Sequence, residues 1–302
     1  HTNKGAEDFK IDKTNDINFV KWESYIPAKD ETLIGGLTFL NNWIIRSEVT
    51  NALGKIFVKN LKNEKEEELI FSDEKVFDGG VSLVQKDKNT DLVHISYSTP
   101  KTQSRVYLYN LKSKEKKLVK EQIIPSGHNP DDYIVERFDC DSHDGRKIPI
   151  TITRHKKTNI DGKANLLLYG YGSYGNSMSP SFSSTRLSLV NRDIIWVTAH
   201  IRGGLERGMK WWKEGKLLNK KNTFEDYIAA AKFLIEKKYT SKGKIIGMGG
   251  SAGGLLMGAV VNKAPELFSG IVMAVHFVDS LTTNLDHSSA MTVGVFEGYG
   301  GW

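Results

Sequence analysis

A chain of 302 residues, 39% hydrophobic and 26% charged, can bury a sizeable core and has the composition of an ordinary globular protein. Its net charge of +6 comes from lysines scattered along the sequence rather than gathered in a stripe, which argues against a nucleic-acid partner. One cysteine, Cys140, excludes an internal disulfide and fits a reducing, cytoplasmic setting; Asp139 and Asp141 beside it should keep the thiol inert. No run reaches transmembrane length, so no membrane partner is expected, and the polar opening residues do not read as a signal peptide. There is no initiator methionine, and the expectation is a chain that begins partway through a longer protein.

Residues 1–130 alternate apolar and polar positions in short runs broken by Asn, Gly, Asp and Lys. Residues 43–49 (WIIRSEV) align with 93–99 (VHISYST), and 55–61 (KIFVKNL) with 105–111 (RVYLYNL), both offset by 50 residues. Each copy closes with a charged turn and a further short strand, at 68–71 and 117–120. Four strands recurring every 50 residues is the spacing of a β-propeller blade, with a single antiparallel sandwich as the alternative. About two and a half to three blades would fit, short of the four to eight that close a ring. The charged run 111–117 reads as a solvated hairpin tip.

Residues 131–302 change character. Two strands, 134–138 and 148–153, flank the hairpin signal Asp144-Gly145. Then apolar strands at 166–169, 194–198 and 271–275 alternate with helical stretches at 185–190 and from Thr223, the latter with Thr223 as N-cap and Phe224, Ile228, Ala231 and Ile235 as its apolar face. Apolar strands separated by helices predict a mostly parallel sheet.

Within this region, residues 244–258 run from a short apolar strand (Ile245, Ile246) through a glycine-rich turn into an apolar helix start. Gly249-Gly250-Ser251-Ala252-Gly253 fits G-x-S-x-G, in the strand–turn–helix setting a nucleophile elbow needs. The glycines let the backbone turn sharply, and the helix N-terminus aims N–H groups at a developing oxyanion. A plain glycine-rich turn is the alternative. Two further loops sit at predicted strand ends, where open α/β sheets place their sites. Residues 169–175 (YGYGSYG) would offer a phenol to an oxyanion or form only an aromatic turn. The loop from His200 to Gly208 either lines the cleft, making Arg202 a substrate-binding candidate, or is a tight turn pinned by an Arg–Glu pair. No H-E-x-x-H or C-x-x-C spacing occurs, so no metal or cofactor is expected.

Taken together, residues 169–175, 201–206 (IRGGLE), 222–226 (NTFED), 239–241 (YTS) and 249–258 (GGSAGGLLMG) resemble the prolyl oligopeptidase family of serine peptidases. Residues 277–279, 281–283 and 285–286 look most like its oligopeptidase B branch. The resemblance implies an α/β-hydrolase domain, truncated at its C-terminus, preceded by part of a β-propeller. It makes Ser251 the nucleophile and gives the Ala252 N–H and Tyr171 hydroxyl the role of oxyanion donors. Glu297 matches one of two acidic residues that bind a basic P1 side chain, while Val295 stands at the other. Ser179 and Ser181 fall where that branch often has acidic residues, and His276 and Ala290 where the family has prolines. These departures count against a strong preference for Arg or Lys, and above all for dibasic sites.

In an α/β-hydrolase the triad acid and base follow the serine on later strand ends. Only 51 residues follow Ser251, and Asp279, Asp286, His276 and His287 come too soon after the next strand, so neither partner is expected in this sequence. The reading is a serine oligopeptidase that hydrolyses short peptides after Arg or Lys through an acyl-enzyme on Ser251, with a second chain as one source of the missing groups. An inactive assembly piece and a small-substrate esterase are the rival readings.

Overall fold

The computed structural model describes residues 1–279 and Thr282. The chain divides into two compact units, the first made of residues 1–126, 179–182 and 206–210, the second of 127–178, 183–205 and 211 onward.

In the first unit a small hairpin, β1 (Ile11–Lys13) with β2 (Glu23–Ile26), precedes two four-stranded antiparallel sheets. One is β3 (Thr32–Leu40), β4 (Trp43–Thr50), β5 (Leu53–Asn60) and β6 (Glu66–Glu68); the other is β7 (Asp78–Leu83), β8 (Leu92–Ser98), β9 (Arg105–Asn110) and β10 (Lys116–Glu121). These are the two blade-like copies of the 50-residue repeat. The repeat extends to its turns. Asn60 Oδ1 accepts the Lys62 N–H at 2.8 Å, and Asn110 Oδ1 accepts the Lys112 N–H at 2.9 Å, so one Asx-type turn closes both hairpins. Alternation puts Val93, Ile95 and Tyr97 of β8 inside, where they join Trp43, Ile45, Ile56 and Val58 of the other copy in one core. The Trp43 indole N–H, inside that core, donates to Asp91 Oδ1 at 2.7 Å. The predicted hairpin tip is solvated over Lys112–Glu115, whereas Leu111 is buried and anchors it.

The second unit holds a six-stranded sheet. Its strands are β11 (Tyr133–Asp141), β12 (Lys147–His155), β13 (Leu166–Tyr169), β14 (Ile195–Ala199), β15 (Ile245–Gly250) and β16 (Phe268–Ala274), in the order β11-β12-β14-β13-β15-β16. β11 and β12 form the antiparallel hairpin around Gly145, whose φ of +80° suits the turn. β13, β14, β15 and β16 run parallel. The α-helices of the chain include α1 (Ser184–Val190), α2 (Gly208–Lys213), whose first three residues belong to the first unit, α3 (Lys221–Glu236) and α4 (Ala252–Lys263). The core is aliphatic sheet residues such as Ile150, Leu168, Val197 and Ile245 against Tyr227, Ala231 and Leu234 of α3 and Leu256, Met257 and Val260 of α4. Burying a side chain of this size is worth about 1.5–3 kcal/mol. Among the described residues no helix is long and apolar enough to cross a membrane.

One local expectation is corrected. α3 starts at Lys221 with Lys220 as N-cap, and Thr223 lies inside the helix, fully buried. Its hydroxyl donates to the carbonyls of Arg202 and Gly215 at 2.9 and 3.2 Å, so it anchors the neighbouring loop instead of accepting a helix N–H. The predicted apolar face faces the core: Ile228 and Ala231 are buried in it with Tyr227, Ala230 and Leu234, and Phe224 and Ile235 pack half-buried against it.

Candidate active site

Ser251 occupies the single-residue junction between β15 and α4, with φ 55° and ψ −118°. A non-glycine residue there costs on the order of 1–3 kcal/mol and persists only where its surroundings fix it. They do so from both sides. The Ser251 N–H donates to Ala274 O at 2.9 Å, and its carbonyl accepts from Gly254 N–H at 2.8 Å and Phe277 N–H at 3.2 Å. The backbone is therefore held while the side chain stays exposed. Glycines make the close approach possible: a Cβ on Gly254 would lie 2.6 Å from the His276 Cα, and one on Gly247 2.7 Å from the Ile271 Cδ1. Ala252, buried, opens α4, so its N–H is one of the orphan donors at the helix N-terminus, which favours negative charge.

The tyrosine loop leaves the C-terminal end of β13, the strand beside β15. Gly170 N–H donates to Met248 O at 3.2 Å, which keeps the two strand ends in step. Tyr171 follows, half-buried, against the first turn of α4: a Cβ on Gly253 would sit 3.0 Å from Gly170 O and 3.4 Å from Tyr171 Cδ2. Gly172 and Gly175 both have positive φ, at +67° and +68°, and Gly175 N–H donates to Gly203 O at 2.9 Å. The structure thus brings three of the predicted residues, Ser251, Ala252 and Tyr171, to adjoining strand ends of one sheet.

Arg202 is placed differently. It is 1% exposed, and its guanidinium makes five side-chain hydrogen bonds: Nε and Nη2 to Asp226 at 2.8 and 2.6 Å, Nη1 and Nη2 to Asp144 at 2.6 and 3.2 Å, and Nη2 to Ser142 Oγ at 3.2 Å. Its own N–H also donates to Asp226 Oδ2 at 3.0 Å. This corrects both sequence expectations for Arg202. The side chain is engaged in pinning the β11–β12 turn and α3 to the 201–205 loop, not presented to a substrate, and its carboxylate partners are Asp144 and Asp226 rather than a glutamate. The opposing charges hold Arg202 far above the ordinary guanidinium range despite burial.

His200, also buried, has its Nε2 2.8 Å from Thr151 Oγ1 and 3.2 Å from Arg137 Nη1, and burial followed by the Arg137 charge pushes its pKa well below the ordinary imidazole value. Cys140 is 1% exposed, and burial, then Asp226 and Asp141, push its thiol up to about 12. Among the described residues no cluster of three or more His, Cys, Asp or Glu side chains forms a metal site. Asp279 accepts the Thr282 N–H at 3.0 Å, and that bond lowers its pKa. Glu297, with Asp286, His287, Ala290 and Val295, lies outside the described residues. Ser179 bonds Asp78 within the first unit, where burial raises the Asp78 pKa against that bond.

Sequence reasoning missed two groups. Asp144 and Asp226 lie 58 and 24 residues from Arg202, and neither the hairpin signal at Asp144 nor the motif that ends at Asp226 pairs them with it. The other is Lys220, whose Nζ donates to Gly172 O at 2.5 Å and to Ser173 Oγ at 2.8 Å. Only the Asp144-Gly145 turn signal and the residue 222–226 motif hinted at this scaffold.

A model of the prolyl oligopeptidase family matches residues 180–301, and a model of the prolyl oligopeptidase N-terminal beta-propeller domain matches residues 1–122. The chain is 38% identical over 299 residues to dipeptidyl aminopeptidase BI of Pseudoxanthomonas mexicana, covering 98% of this chain and 41% of that protein. It is 37% identical over 311 residues to protease 2 of Moraxella lacunata, covering 99% and 43%. The structure of oligopeptidase B from Trypanosoma brucei with covalently bound antipain, in its closed form, superposes with a TM-score of 0.83 at 34% identity, over 91% of this chain and 40% of that one. The chain therefore spans about two fifths of the length of these two relatives.

Proposed function

The chain belongs to the prolyl oligopeptidase family of serine peptidases, and from that premise we propose that it carries the nucleophile and oxyanion donors of an oligopeptidase B-like enzyme acting on short peptides. In that reaction the Ser251 Oγ–carbonyl bond forms and the peptide C–N bond breaks. The serine proton passes through a base to the leaving amine, and water then releases the acyl group. The Ala252 N–H and the Tyr171 hydroxyl would share the charge on the tetrahedral oxygen; a single such donor is worth about 100- to 1000-fold in rate. One observation carries the reading: Ser251 is held at positive φ with its side chain exposed at the N-terminus of α4, beside the Tyr171 loop.

Cleavage after Arg or Lys rests on the resemblance through Glu297 and is opposed by Val295, Ser179 and Ser181. The name of the 38%-identical relative favours a second reading, release of dipeptides from peptide N-termini. Digestion of Arg-containing peptides with free and blocked N-termini separates the two, since only internal cleavage survives blocking. A fluorophosphonate probe tests the chemistry itself. Labelling confined to Ser251 and lost in Ser251→Ala supports it. Folded protein that stays unlabelled defeats it for this chain and leaves the assembly-piece reading. Turnover of esters alone would revive the esterase reading.

A further inference from the structure

The tyrosine loop poses a mechanical problem. It contains Gly170, Gly172 and Gly175, and such a backbone has more freedom to lose than any other. Yet a phenol that stabilises an oxyanion must be held within a fraction of an ångström of its working position. Hydrogen bonds to Met248 O and Gly203 O fix the two ends of the loop. Its middle, immediately after Tyr171, is fixed by a side chain from 47 and 48 residues further along the chain: Lys220 Nζ donates to Gly172 O at 2.5 Å and to Ser173 Oγ at 2.8 Å.

Several features set this lysine apart from the scattered surface lysines. It is half-buried, and Ser173, which it meets, is 3% exposed. It stands at the N-cap of α3, where the helix dipole disfavours a cation. Burial pulls its ammonium down to about 7. The same stretch of α3 is locked to the 201–205 loop through Thr223, so the tether has a rigid base. Space is closed around the tethered residue too. A Cβ on Gly172 would overlap Thr223 Cγ2 and lie 2.9 Å from both Arg202 O and Ile201 Cγ1, so only a glycine fits beside this anchored part of α3.

We propose that Lys220 is a positioning residue for Tyr171: by holding the Gly172 carbonyl and the Ser173 hydroxyl, it sets the tyrosine loop so that the phenol addresses the oxyanion at Ser251. Lys220 acts on the loop and touches no reacting atom. The role of Tyr171 rests on the function proposed above, whereas the tether itself does not.

The test uses the full chain in two readouts. In the first, 3-fluorotyrosine replaces Tyr171 and its 19F signal is recorded. Wild type should give one narrow line. Lys220→Met should broaden, shift or split it while circular dichroism stays native, and Lys221→Met, an exposed neighbour, should leave it unchanged. Should Lys220→Met fail to fold, Ser173→Ala removes one end of the tether and should move the same signal in the same direction. An unmoved line in the folded variant overturns the proposal.

The second readout is saturation kinetics of fluorophosphonate labelling. Lys220→Met should lower the maximal labelling rate about 10- to 100-fold with little change in the half-saturating concentration. In a Tyr171→Phe background it should have almost no further effect. Equal losses in both backgrounds would mean that Lys220 does not work through Tyr171, and would also overturn the proposal. Wild-type protein that never labels would defeat the proposed function, while the 19F comparison would still decide on the tether.

Discussion

Gly249 and Gly253 approach so closely across the elbow that a Cβ on Gly249 would overlap the Gly253 carbonyl. This contact explains why the serine turn is written with glycines on both sides. The strand must enter and the helix must leave through nearly the same space, so the strain at Ser251 is maintained by packing that no larger residue permits.

Gly249→Ala should therefore cost about 1–3 kcal/mol, because backbone rather than a flexible side chain has to yield. Urea unfolding measures this. A loss of only a few tenths of a kcal/mol would show that the elbow has room to relax.

Arg202→Met should be among the most destabilising single changes in the second unit. It would leave the Asp226 carboxylate, 0% exposed, without its cation, a loss of about 3–5 kcal/mol. Replacing Arg202, Asp226 and Asp144 together with apolar and neutral residues should recover part of that loss. If the single variant melts with wild type, the network is ornamental.

The Asp144 arm of this network has a signed pH dependence. Burial alone would raise the Asp144 pKa, but hydrogen bonds and charge from Arg202, together with the Arg146 N–H, hold it below the ordinary 3.8. Its folded pKa is depressed, so the stabilisation is complete above about 3.8 and lost as pH falls through the lower folded value. The stability gap between wild type and Asp144→Asn should be constant from pH 7 to 5 and narrow below pH 4. A gap that widens on acidification would contradict the assignment.

Cys140 should resist thiol reagents at pH 8 in the folded protein and react in denaturant, since it is buried and its pKa is pushed up to about 12. Rapid modification under native conditions would mean that the β11–α3 packing opens readily.

The elements that were legible in the sequence share one property: their signal is local. The elbow, the Asp144-Gly145 turn and the 50-residue repeat each announce themselves within a few residues, through glycines, turn residues or alternation. Ser251 and the tyrosine loop could be located at strand ends for that reason, whereas the roles given to Ala252 and Tyr171 came from the resemblance. Arg202 was misread because its partners, Asp144 and Asp226, lie in different elements and only the fold brings them together. Thr223 was misread by the same logic. A threonine before an apolar run looks like a cap, and only the neighbouring carbonyls of Arg202 and Gly215 show that its hydroxyl donates elsewhere. Lys220 had no signal at all among 42 basic residues.

The shared core of the two blade-like sheets has a consequence for how such a gene can grow. Val93, Ile95 and Tyr97 of one copy complete the burial of Trp43, Ile45 and Val58 of the other, and the Trp43–Asp91 bond crosses between them. A single copy expressed alone would show that apolar face to water and precipitate. Duplication of the unit is then productive only in tandem, each newcomer being accepted against a neighbour that already exists. Drift in one copy must also be answered by change in the next.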